Sequence, residues 1–233
     1  MDKIPAREIP FAVKILFTVF MAVSVPTSWY EYGPTNLLYL CNVALFLTLI
    51  GMWTGSSLLI SMAAVGVIIP QGLWIADFFS HLLDKPMVGT TNYMFEETNP
   101  LHNRILALFH FWLPFLLVWL VVRLGYDRRA PVAWIAMASV LLLICYLWMP
   151  ASAVDPADPN RPYNINFAYG LRGKQERMPE LAWLAFVMVV PQLVSVVPMH
   201  LLLKRFAAPA SIGRCELRPR PRSSRVELTR RAG

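Results

Sequence analysis

An all-α bundle of six membrane-spanning helices is the fold class this sequence predicts, and three observations carry the prediction. Six apolar stretches, residues 11–30, 36–53, 57–83, 101–122, 131–149 and 181–203, end at charge, proline or glycine. Each is at least about 18 residues long, enough to cross a ~30 Å hydrocarbon core as a helix. The composition agrees: at 57% hydrophobic and 15% charged, with eight Trp among 233 residues, a soluble domain of this size could not cover its own surface. The third observation is the sorting of positive charge between alternate loops, which follows the rule for cytoplasmic loops.

The first stretch follows Lys3 and Arg7, but Lys14 interrupts it and no small-x-small cleavage site precedes Tyr30. It reads as a retained anchor, not a signal peptide. Residues 1–10 form a short cytoplasmic segment and 11–205 one transmembrane domain without internal repeats. The second stretch carries Cys41 and Asn42 in its first third. The third contains Pro70 followed by Gln71 near its middle, where the amide is placed to re-satisfy carbonyls that the proline frees, and Asp77 and His81 near its end. A spacing of four puts Asp77 and His81 on one helix face, as an interfacial pair or as two metal ligands. His102 opens the fourth stretch, and His110 precedes Trp112 and Pro114. The fifth holds Cys145. The sixth repeats the proline–amide pattern at Pro191 and Gln192 and bears His200 near its end.

Two connections are long. Residues 84–100 carry Tyr93, Phe95, Glu96 and Glu97; residues 150–180 begin with Pro, Asp and Asn in turn-forming order. The alternation of Asn with apolar residues over 164–169 predicts an ordered piece packed on the outer mouth of the bundle. Residues 206–233 are a basic, Pro- and Ser-containing tail expected to be disordered and to touch anionic headgroups. That tail lacks aromatic interleaving, so nucleic acid is not an expected partner. Cys41, Cys145 and Cys215 have no CxxC spacing and read as free thiols.

Polar groups in apolar helices are costly and mark bundle interiors or wet cavities. At a rise of about 1.5 Å per residue, Cys41 and Asn42 lie roughly 8–9 Å and His110 roughly 13 Å below the outer surface. Cys41, Asp77, His81 and His110 thus converge on the outer half. No HExxH, glycine-rich phosphate loop or GxSxG elbow occurs, and no cofactor or metal is expected. Membrane lipids are the expected partners.

Residues 36–46 (NLLYLCNVALF) and 108–114 (LFHFWLP) resemble the Cys-helix and His-helix of a multi-helix family. It comprises uncharacterised bacterial integral membrane proteins and, more distantly, Cys/His membrane acyltransferases of ether-phospholipid metabolism. The resemblance implies Cys41 and His110 as a catalytic pair for lipid acyl transfer or hydrolysis. Asn42 and Gln71 are then candidate oxyanion donors, and Asp77, His81 and His102 candidate substrate-binding groups. Two other readings stand beside it: a transporter or small-solute binder using the Asp77/His81 cluster and the proline-broken helices, and a structural membrane partner without chemistry.

Fifteen Lys and Arg fall on the side of the termini and six on the other, so both termini are expected in the cytoplasm of an inner-membrane protein. A reporter fused after Leu203 should accordingly be cytoplasmic and one inserted near Asp158 extracytoplasmic. Cytoplasmic accessibility of the Asp158 insertion would reverse the topology.

Overall fold

A computed structural model describes residues 8–85, 87–152, 161–171 and 173–207, and among them the regular structure is entirely helical. The helices are α1 (Phe11–Tyr32), α2 (Leu40–Thr54), α3 (Ser57–Leu82), α4 (Leu101–Ala107), α5 (Phe109–Leu124), α6 (Ala130–Trp148) and α7 (Glu180–Phe206). Short 3-10 turns occur at Pro34–Leu38, Asn92–Met94 and Ile165–Phe167. The N-terminal Lys3 and Arg7, the Asp158 region, Cys215 and the basic tail lie outside the described residues.

Five helical runs are long and apolar enough to cross a membrane: α1, α3, α4 with α5 (Leu101–Leu124), α6 and α7. This is an integral membrane protein built as a helical bundle. The second predicted span is shorter than expected, because its first residues form the 3-10 turn and α2 has 15 residues. At 1.5 Å per residue α2 covers only about 22 Å. The shortening moves Cys41 to the second residue of its helix, at the helix end and not a third of the way in. The face bearing Gly33, Leu40, Leu82 and Leu101 is called upper below, and that bearing Phe11, Gly55, Tyr126 and Phe206 lower.

α3 is the axis, packing against α2, α5, α6 and α7. Residues 60–67 of α3 are all buried, which a helix manages only when it is apolar all round. Small side chains make this possible. Ala63, Ala64 and Gly66 let neighbours approach, and the Trp134 ring of α6 lies on Gly66. On α2, Gly51 takes Ile60 in the same way. Gly55, at φ 66°, ends α2 in the left-handed region that glycine tolerates, and the Ser56 hydroxyl caps α3 by accepting from the Leu59 N–H (3.4 Å). α1 leans on α2 at the lower face, where the Trp53 indole donates to the Thr18 hydroxyl (2.9 Å) and meets Phe11 edge-on.

The helices run through Pro26, Pro70, Pro114, Pro191 and Pro198 without ending. The fourth span breaks instead at Leu108, between α4 and α5.

A Cβ at Gly66 would come within 2.0 Å of the Trp134 ring, whereas one at Gly72, six residues on in the same helix, meets nothing within 4 Å. Gly66→Ala should therefore lower stability in detergent by about 1–3 kcal/mol or more through overpacking. Gly72→Ala should be neutral or stabilising by up to about 1 kcal/mol. Equal melting temperatures for the two variants would contradict the close α3–α6 approach.

Candidate functional site at the upper face

The upper face is closed by two loops, and each is held by one polar side chain. Asp77 is 1% exposed. Its Oδ1 accepts the N–H groups of Val88 (2.7 Å) and Gly89 (3.0 Å), and its Oδ2 accepts the Thr90 hydroxyl (2.9 Å) with the Thr91 N–H and hydroxyl (both 3.0 Å). Five donors satisfy a carboxylate that would otherwise be costly to bury. The expected Asp77/His81 pair is not formed, because the carboxylate faces the loop. His81 lies flat on Phe95 (centroids 4.0 Å apart, planes at 8°), with its Nδ1 buried and unpaired.

The second loop uses Asn166. Its Oδ1 accepts the Leu40 N–H (2.9 Å) and its Nδ2 donates to the Leu38 carbonyl (2.9 Å). One side chain thereby satisfies two backbone groups at the frayed start of α2. The same Nδ2 reaches the Cys145 sulfur at 3.5 Å. Asn164 and Asn166 adopt left-handed conformations (φ 48° and 56°), which Asn accepts more readily than most residues. The ordered, packed segment read from the alternation over 164–169 is present.

Two other expected site residues make contacts within the fold. Asn42 Nδ2 donates to the Asn36 carbonyl (2.7 Å), tying the 3-10 turn to α2; it borders a crevice between α1 and α2 of about 10 Å³, room for one water. This bond uses one of the two N–H donors of the Asn42 amide. His102 pairs with Glu31 (3.3 Å) at 54% side-chain exposure and joins α4 to the end of α1.

Cys41, Gln71 and His110 remain. Gly51 and Ile60 are opposite one another in the antiparallel α2–α3 hairpin, so ten residues further up each helix Cys41 stands level with Pro70. Gln71 is 2% exposed, and neither Oε1 nor Nε2 has a hydrogen-bond partner. The carbonyls around Pro70 are thus not re-satisfied by this amide, contrary to expectation. One turn above, the Trp74 indole stacks on the His110 imidazole (4.6 Å, 14°), and Phe109 stacks on that ring as well (4.0 Å). His110 Nδ1 lies 2.8 Å from the Ala107 carbonyl, exposed by the break at Leu108. A carbonyl can only accept, so Nδ1 carries the proton and Nε2 keeps a lone pair.

Tyr93, on the loop that Asp77 anchors, interacts with the Trp74 side chain and with Cys41. Burial, with Cys41 beside it, raises its phenol above the usual tyrosine range. The one ring contact among the described residues that reaches His110 from α3 is that of Trp74. Among the described residues no hydrogen bond joins Cys41 to His110. Nor does any group of three His, Cys, Asp or Glu come close enough to hold a metal ion.

Sequence reasoning missed the roles of Tyr93 and Trp74. Trp74 lies three residues from Gln71 on the same helix face, which was the available signal. Asn103 was also missed. It is buried with Nδ2 unpaired, close to Tyr32, whose hydroxyl donates to Asn99 (3.2 Å).

No protein-family model, no curated protein and no solved structure matches this chain.

Asp77→Ala should strand the donors of residues 88–91 and cost about 3 kcal/mol or more in thermal unfolding, with faster proteolysis near Lys85. Asp77→Asn, which keeps one acceptor oxygen, should lose less. Wild-type proteolysis in the alanine variant would show that the loop does not depend on the carboxylate.

Proposed function

We propose that this membrane protein binds the polar part of a lipid between its helices at the upper face, and that Gln71 receives it. The observation that carries the proposal is the pair of unpaired amide atoms on a side chain 2% exposed. A buried amide without partners costs about 1–3 kcal/mol per unmade bond, and such groups persist where an occupant supplies the missing bonds. The Lys/Arg distribution supports an extracytoplasmic upper face, so the lipid would enter from the outer leaflet.

Acyl transfer or hydrolysis at Cys41 is a second reading, supported by the resemblance of the Cys- and His-bearing segments and by the His110 tautomer. His110 Nε2 would take the Sγ proton, and the thiolate would attack an ester carbonyl to give a thioester. The leaving alkoxide would then collect the proton from His110, and a second alcohol or water would accept the acyl group by the same route. This chemistry requires a bridging water or a ring rotation, since the two side chains are not bonded to one another and Trp74 covers His110. Transport through Asp77 and His81 has less support, because every Asp77 oxygen is already occupied.

Gln71→Leu separates these readings. It should raise the melting temperature in detergent, because an unpaired amide is replaced by an apolar group of similar size. It should also reduce the lipid that copurifies with the protein. Unchanged lipid content with raised stability would identify a structural water as the partner and sink the proposal. Cys41→Ala should leave copurified lipid in place. Altered lipid composition in cells carrying Cys41→Ala would establish the covalent reading, and an unaltered one would remove it.

A further inference from the structure

The lower face carries a second constellation, independent of Gln71 and of the basic tail. Tyr126, in the turn between α5 and α6, is 2% exposed, and its hydroxyl lies 2.6 Å from His200 Nδ1 on α7. Burial, together with the neighbouring Asp127, pushes the Tyr126 phenol up to about 12, so it remains protonated and donates. His200 Nδ1 is thereby the acceptor, and the proton of a neutral imidazole sits on Nε2.

Positive charge surrounds this ring without an answering anion. Lys204 follows His200 by four residues on the same helix face. Arg128 is two residues beyond Tyr126 in the turn that the hydrogen bond pins to α7. Both act electrostatically on His200. Arg129 is different: its guanidinium makes two bonds to Asp127 (3.1 and 2.8 Å), which holds that carboxyl below its usual range and neutralises the pair. Among the described residues neither Arg128 nor Lys204 forms an ion pair, and both are exposed. The group lies at the end of the apolar part of α7, with Val122 and Phe206 exposed beside it in sequence, where headgroups meet acyl chains.

We propose that Arg128, Lys204 and His200 Nε2–H form a site for the phosphate of an anionic phospholipid whose acyl chains lie along the lower ends of α5 and α7. Two exposed cations and a ring N–H, brought to one end of the bundle by the Tyr126–His200 bond and the four-residue spacing on α7, suit a phosphodiester, and a zwitterionic headgroup would bring its own cation into an already positive site.

The test uses the full chain in a neutral detergent, with short-chain phosphatidylglycerol, short-chain phosphatidylcholine and inorganic phosphate as separate probes. Phosphatidylglycerol should raise the melting temperature at concentrations at least tenfold below those at which phosphatidylcholine does. Arg128→Gln with Lys204→Gln should abolish that difference. Arg205→Gln, which removes one charge from the same turn of α7, should leave it intact and so controls for net charge and for binding by the tail. Three results would overturn the proposal: equal responses to the two lipids, a double variant that keeps the preference, or inorganic phosphate matching phosphatidylglycerol. The last would assign the site to a free anion.

Discussion

Eight consecutive residues of α3, 60–67, touch protein on every side, and the positions of the other helices follow from how closely each can approach them. In a bilayer the exclusion of water adds little to helix association, so contact distance and shape decide which helices stay together. Gly66 against Trp134 and Gly51 against Ile60 are the two places where a missing side chain admits a large one. With α3 held in this way, one face of its upper half, carrying Gln71, Trp74 and Asp77, is turned into the protein. The chemistry-bearing groups of α2 and α5 then lie around it and not against each other.

The same constraint explains why loops and not helices close the upper face. Backbone groups there have left the regular hydrogen-bond ladder without reaching bulk water, so side chains must stand in for the missing partners. Asp77 gathers three N–H groups and two hydroxyls; Asn166 supplies one acceptor and one donor to the start of α2. Gln71 is chemically similar to Asn166 and still more deeply buried from solvent, yet its amide has no hydrogen-bond partner. On that contrast rests the proposal that Gln71 serves a ligand.

Apolar runs are legible in sequence because length and composition alone decide whether a helix can cross a bilayer, and the helical bundle was readable for that reason. The start of α2 was not, since Asn36–Leu38 are as apolar on average as the residues that follow and only Pro34 with the Asn42–Asn36 bond sets the 3-10 turn. Helix spacing put Asp77 and His81 on one face, but spacing says nothing of a loop 11–14 residues later whose amides outcompete an imidazole. The common depth of Cys41 and His110 was derivable from helical rise. The stacking of Trp74 on His110 was not, because aromatic side chains in a membrane helix give no sign in sequence of which neighbour they cover.

The Asn166 contact also orders events in time. The Leu40 amide and Leu38 carbonyl lie 126 and 128 residues before the side chain that satisfies them. A ribosome has therefore delivered α1 to α6 before the start of α2 can acquire its partners. Until then this short helix, about 22 Å long, must rest in the bilayer with an open end. The Asn166 side chain acts as a late clasp, and a nascent chain halted before residue 166 would hold α2 in register through its hairpin with α3 and its packing on α1.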